Sequence, residues 1–281
     1  MALVQVMAPS AEPIDLAEAK LHLRYAANDQ DALILAAIAG VRAQAETLTN
    51  KQLVACRWKQ VLDSFPGYST TFAPYGRTFS LPGNAILLRR FPVLQVVSIQ
   101  YLDMEGATQT VDPSTYTVDY STEPVRITPV FGEIWPIPLP QIGSVWITFD
   151  AGYAARITAQ GNNLTVQGWT PLNVGDAVRL SNSGGALPAP LQPMTDYFVQ
   201  SVVSPGVYTL AAIAGAAAIP LTDAGSGTNF LGVIPEGIKA WMKLRLGTLD
   251  VSRDEPTLEP INANSMTFAD RLLDGYKIYE F

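Results

Sequence analysis

From Asp31 to Leu48 apolar residues return every three or four positions. Leu33, Ile34, Ala37, Ile38, Val41, Ala45 and Leu48 fall on one helical stripe, and Arg42 and Glu46, four apart, can pair on the other side. A shorter helix is predicted over residues 15–24, "DLAEAKLHLR", with Asp15 as N-cap and Glu18 three positions later as its capping-box partner. The polar "AANDQ" joins the two. A further helical period begins only at "VIPEGIKAWMKLR", where Pro235 suits the first turn and Ile238, Trp241, Met242, Leu246 and Leu249 line one face. Beyond the polar linker "RDEPTLEPINAN", one or two turns from Ser265 put Phe268 and Leu272 on a common side and stop at Gly275.

Between these helices the period drops to two. "ACRWKQVLDSF", "RTFSLPG", "NAILLRRFPVLQVVSIQYLD", "STYTVDY", "PVRIT" and "SVWITFD" are short β-branched and aromatic runs separated by Pro, Gly and Asp, the spacing of an antiparallel sheet. Val97, Ile99 and Tyr101 alternate with Ser98 and Gln100, and "MEGA" reads as the hairpin turn that follows. Residues 154–232 differ in kind: they hold five charged residues in 79 positions, against 38 in the other 202. "NNLTVQGW", "VGDAVRLSN", "DYFVQSVV" and "GVYTLAAI" are strand candidates there, with "SPG" at 204–206 as a turn. The expected fold class is α+β: helices packed beside a small antiparallel sheet, with an inserted all-β domain. Residues 1–153 would form the body, 154–232 the inserted module, and 233–281 the helix, linker and tail that complete the body.

Composition narrows the function. Charged residues make up 15% of the chain, below the roughly 25% usual in soluble domains, so much of the surface is small, polar or covered by a partner. The net charge of −7, with Arg89-Arg90 as the only basic doublet, argues against binding nucleic acid by clustered Lys and Arg. No stretch approaches the run of about 20 apolar residues that crosses a bilayer, and "MALVQVMAPSAEP" lacks the charged start of a signal peptide. The chain is therefore expected to be soluble, unprocessed and off the membrane. A single Cys56 forms no disulfide within the chain and suits a reducing cytoplasm.

Candidate chemistry is sparse. His22, the only histidine, lies on a helix; Cys56 beside Arg57 reads as a buried small residue; Asp103/Glu105 and Asp254/Glu255 fall in a turn and a linker. No GxGxxG or P-loop occurs, and the expectation is of no catalytic, cofactor or metal site and no enzyme. Trp169 and Tyr197 could stack on a sugar, which leaves a carbohydrate- or receptor-binding module as the alternative. The ending "YKIYEF" keeps Tyr276, Ile278, Tyr279 and Phe281 at the chain's end, where large apolar residues need a cover. Burying each contributes roughly 1.5–3 kcal/mol against about 1–2 kcal/mol per ordered residue. One such tail is near break-even, and repetition around a ring makes it strong; packing on the chain's own core is the other outcome.

"IDLAEAKLHLR", "DALILAAIAGVRAQAETLTNKQLV", "VSIQYLDMEGATQTVDPSTYTVD", "WITFDAGY" and "IPEGIKAWMKLR", in that order, resemble the gp6-like head-tail connector (adaptor, head-completion) proteins of tailed bacteriophages, over residues 13–153 and 233–250. The resemblance implies a structural virion protein of the neck, made in the host bacterial cytoplasm. It would form a homo-oligomeric ring, a dodecamer in the family, between the portal and a tail or tail-terminator protein, with DNA passing unbound through the lumen. Portal and subunit docking would fall to Trp241, Arg245, Phe268, Leu272, Leu273, Tyr276, Ile278, Tyr279 and Phe281. The 79 residues after "AGY" depart from the family's short loop and read as a β module spliced into it.

Overall fold

The computed structural model describes residues 2–67, 83–167, 172–193, 195–251 and 271–277. The fold is α+β and divides into two compact units, one of Met1–Ala8 with Cys56–Ala151, the other of Pro9–Ala55 with Gly152–Phe281. The three helices thus share a unit with the β module, while a five-stranded and a three-stranded sheet form the other.

In the first unit, β1 (Ala2–Met7), β2 (Cys56–Leu62), β8 (Val145–Ala151), β4 (Val93–Leu102) and β5 (Thr108–Thr110) form an antiparallel sheet in that order. A second sheet runs β3 (Ile86–Leu87), β7 (Arg126–Pro129), β6 (Tyr116–Asp119). Alternation explains the core: Cys56 and Trp58 of β2 and Val145, Ile147 and Phe149 of β8 point inward, joined by Ile99 and Ile127. Gln60 and Asp150, both buried, are paired, which offsets the cost of their desolvation. Gln60 donates to Leu87 O at 2.8 Å and accepts from Arg89 N at 3.1 Å, which fixes β3. Asp150 takes a two-pronged bond from Arg57 at 2.8 and 2.9 Å and one from Gln95 at 2.6 Å.

The predicted alternation of β4 holds for Ile99 and Tyr101 but not for Val97. The register against β8 slips between Val96 and Ser98, and this bulge turns Val97 outward while Val96 packs on the core. The turn after β4 closes as expected, with Gly106 at φ +82°. Strand β1 was not foreseen: it is exposed along nearly all its length, so its pattern carries no inside and outside to read.

The second unit holds α1 (Leu16–Leu23), α2 (Asp31–Thr49) and α3 (Glu236–Val251). With them stands a closed barrel of β9 (Ala154–Gln160), β10 (Asn163–Gln167), β13 (Val207–Ala211), β12 (Asp196–Ser204), β11 (Ala177–Ser183) and β14 (Thr228–Gly232). Closure pairs β9 with β14, the two strands that sequence patterning did not single out. Ile34, Ile38, Val41 and Ala45 of α2 meet Ile238, Trp241, Met242 and Leu246 of α3 in one core that also takes in Ala154 and Phe230 of the barrel. Leu33, Leu48 and Leu249, placed on these stripes from sequence, are exposed at their margins. By length and composition alone α2 could cross a bilayer; here its apolar stripe is occupied by α3.

Candidate interaction surfaces

Two polar clusters, one buried and one half-buried, set the helices in place. Glu46 does pair with Arg42, at 2.9 Å, but inward and not on the solvent side: its other oxygen accepts from Gln52 Nε2 at 2.6 Å and Leu53 N at 3.1 Å, and Glu12 takes Arg42 Nε at 2.8 Å. Burial works against the Arg42 charge, yet Glu46 and Glu12 outweigh it and raise its pKa. The second cluster lies at the start of α1. Asp15 caps the helix through Ala17 N at 2.8 Å, as predicted. Glu18, however, does not fold back to complete the box. It accepts from the Ser183 hydroxyl and from Lys243 Nζ at 2.6 Å, while Asp15 N donates instead to Ser183 Oγ at 2.6 Å. Burial opposes ionisation of Glu18, but the bonds from Lys243 and Ser183 and the charges of Lys243 and Lys239 prevail, holding its carboxyl below its usual value. Gly184, at φ +74°, lies against this cap; a Cβ there would sit 2.4 Å from Asp15 Oδ1.

The residues expected to dock partners fall into three groups. Trp241 and Leu273 are interior, 1% and 0% exposed, and hold the helical core together. Leu272 and Tyr276 pack on the same core half-buried, with Tyr276 Oη against Gly237, where an added Cβ would come within 2.9 Å. Arg245 reaches across to Gln44 Oε1 at 3.2 Å and ties α3 to α2. Phe268, Ile278, Tyr279 and Phe281 lie outside the described residues. Tyr197 is 6% exposed, its hydroxyl accepting from Gln192 N at 2.8 Å, so it offers no face to a sugar; Trp169 lies outside the described residues. Cys56 is fully buried. The exposed Asp103 carboxylate is held below its usual range by Gln109 and by backbone N–H groups of its own turn, which makes it turn chemistry and not a proton donor. Among the described residues, no three His, Cys, Asp or Glu side chains stand together as metal ligands do.

Sequence reading missed two apolar surfaces. The helices leave an open groove of about 340 Å³ lined by Leu23, Leu33, Ala36, Ala37, Leu246 and Leu249. Exposed residues of α2 and α3 are mostly uncharged, Leu35, Gly40 and Ala43 on one and Ala240, Leu244 and Thr248 on the other, with Glu236 in the first turn of α3 as the charged exception, while Arg42, Lys239 and Lys243 turn inward. In the other unit, residues 130–142, "VFGEIWPIPLPQI", display Phe131, Ile134, Ile137 and Ile142 to solvent, the three isoleucines 72%, 77% and 89% exposed. The loop is nonetheless pinned. Trp135 donates to Asn84 O at 2.7 Å and stacks on Phe65 at 5.1 Å, Leu139 N bonds Leu102 O at 2.8 Å, and Ser144 Oγ reaches Leu139 O at 2.6 Å. Its three prolines carry no N–H and fix φ. Such runs have neither strand nor helix period, which is why no element signal marked them.

No protein-family model and no curated protein matches the chain. Solved structures do. A chain in the neck of an empty GTA particle computed with C6 symmetry has a TM-score of 0.54 at 15% identity, covering 100% of this chain and 97% of that one. A chain of the virion of a native gene transfer agent particle gives the same values. The neck of a native GTA particle computed with C12 symmetry gives 0.52 at 14% identity, with the same coverage. At this identity the likeness is one of fold. It spans the chain end to end.

Proposed function

We propose that the chain is a structural subunit of the neck of a tailed-phage-like particle. Copies would form a ring, of twelve subunits in the gp6-like family, seated between the portal and a tail or neck protein, with DNA passing through unbound. It works by burying interfaces and makes or breaks no covalent bond. The observation that carries this reading is the end-to-end likeness to chains of GTA necks, which covers 100% of this chain. The charge-poor outward faces of α2 and α3 and the displayed isoleucines of residues 130–142 are what a subunit surrounded by partners would carry. A net charge of −7, repeated around a ring, keeps a passing polyanion from adhering. The last residues, Ile278 to Phe281, would extend the docking surface beyond Leu272 and Tyr276.

Deleting the gene from the particle's producing strain tests the assignment. The expected result is filled or partly filled heads and free tails that do not join, restored by the intact chain supplied in trans. Complete particles assembled without the chain would overturn it.

A further inference from the structure

The five-stranded sheet is open at both ends. Among the described residues β1 pairs with β2 alone and β5 with β4 alone. Five of the six residues of β1 and all three of β5 are exposed. A free edge presents a row of unpaired N–H and C=O groups, and edges that stay free are blunted by charges, prolines or bulges. "ALVQVM" and "TQT" hold no charged residue and no proline. The register slip in β1 comes after Gln5, so residues 2–5 keep a regular edge about as long as β5. On β5, Val111 N bonds Ile99 O and Ala107 O accepts from Asp103 N. The odd-numbered residues therefore face β4, and the N–H and C=O of Thr108 and Thr110 point away from the sheet. The two ends also differ in charge. β1 and β2 carry Arg57 and Lys59 and no acid. Arg57 is taken up by Asp150, while Lys59, in register with Val4, lies over the Trp146 ring and has no carboxylate partner among the described residues. β5 stands between Glu105 and Asp112, and no Lys or Arg occurs from residue 97 to residue 125.

We propose that β1 of one copy lies beside β5 of the next, so that the sheet continues from subunit to subunit. An unpaired strand edge is satisfied by another extended backbone, and the basic end of the sheet complements the acidic one. Successive strands of the sheet alternate in direction, so β1 and β5 run the same way. In a head-to-tail ring each copy repeats the orientation of the last, and the two edges meet in parallel. A second β1 is the poorer occupant: it would bring Lys59 of both copies to one seam and use the same edge twice, giving a pair and not a ring. Pairing over so few residues is weak alone, and closure of the ring strengthens it because the last contact forms within the assembly. The proposal rests on the neck-ring reading and adds to it the surfaces by which copies meet.

Cross-linking between mixed variants of the full chain provides the test. Val4 and Thr110 are exposed, so Val4→Cys and Thr110→Cys should both keep the wild-type circular dichroism. The native Cys56 is fully buried and stays silent. At a concentration where light scattering shows the wild type associating, the two variants are mixed and treated with a short bis-maleimide. Paired edges hold the two thiols at high effective concentration, so the mixed product should form about tenfold faster than either variant joins to itself. Thr110→Pro, which removes an outward N–H, should weaken wild-type association roughly tenfold, and added salt should weaken it further. Val4→Cys joined mainly to itself would mean a two-fold pair of β1 edges and overturn the proposal. So would the absence of a mixed product, a wild-type chain that never self-associates, or a Thr110→Pro chain that assembles at full strength. The gene deletion decides the neck assignment separately, whichever of these results is found.

Discussion

Glu46 gathers three hydrogen bonds in the interior of the second unit. Its two oxygens serve Arg42, Gln52 and Leu53 N from a position 5% exposed. Removing one partner of a buried ion pair leaves the rest uncompensated. Glu46→Ala should therefore lower stability by about 3–5 kcal/mol, whereas Glu46→Gln, which still accepts from Leu53 N, should lose only about 1–3 kcal/mol. Urea midpoints at neutral pH give both values; equal losses, or none, would mean the network contributes nothing specific. Gly152 makes the steric counterpart. Its φ of +153° and the close backbone of Ala55 leave no room for a side chain, since a Cβ would stand 2.5 Å from Ala55 N and Cα. Gly152→Ala should cost at least about 2 kcal/mol through overpacking and backbone strain together. A variant with unchanged midpoint would show that the β8–β9 junction yields freely.

At the scale of elements, the bonds that Glu18 accepts from Ser183 and Lys243 join the start of α1 to strand β11 and to α3. The Glu18 carboxyl is held below its ordinary pKa of 4.5. A group with a depressed folded pKa adds stability above its unfolded value and loses it as pH falls through the folded one. The stability difference between wild type and Glu18→Gln should thus be full above about pH 5 and shrink as pH drops below 4.5. Other depressed carboxyls, such as Asp103 and Asp196, are present in both proteins and cancel in the difference. A difference that stays constant from pH 6 to pH 3 would remove Glu18 from the account. Elements whose two sides face different surroundings were legible in the sequence: α1, α2 and α3 with their buried stripes, and β2, β8 and most barrel strands. Strand β1 was not, because both its sides are wet, and β9 and β14 were not, because "AARITAQ" and "TNFLG" are short or alanine-rich and owe their pairing to barrel closure. The Arg42–Glu46 spacing was visible, but its inward direction depends on Gln52 and Leu53, which arrive from beyond the helix. The docking residues chosen on helical stripes proved to include core positions for a plain reason: an apolar stripe marks burial, and does not say whether the cover is the same chain or another. The loop at 130–142 shows the converse, apolar residues without a period whose exposure only the fold reveals.

Across the whole molecule, the chain passes between its two compact units at three points, after Ala8, after Ala55 and after Ala151, and each unit has a core of its own. Separate cores favour separate unfolding steps, because the cooperative unit is the set of side chains that lose their packing together. The chain should unfold in two steps in calorimetry, with a van't Hoff enthalpy smaller than the calorimetric one. Variants in each core assign the steps. Phe149→Leu, at a fully buried position of the sheet unit, should lower one step by about 1–2 kcal/mol and leave the other in place. Glu46→Ala should do the reverse, since Arg42, Gln52 and Leu53, which it bonds, belong to the helix-and-barrel unit. In the proposed ring, a subunit built this way would let one unit adjust to its neighbour while the other keeps its fold. If both variants instead shift a single transition as a whole, the three crossings couple the units into one cooperative body, and the subunit would meet its neighbours as a rigid block.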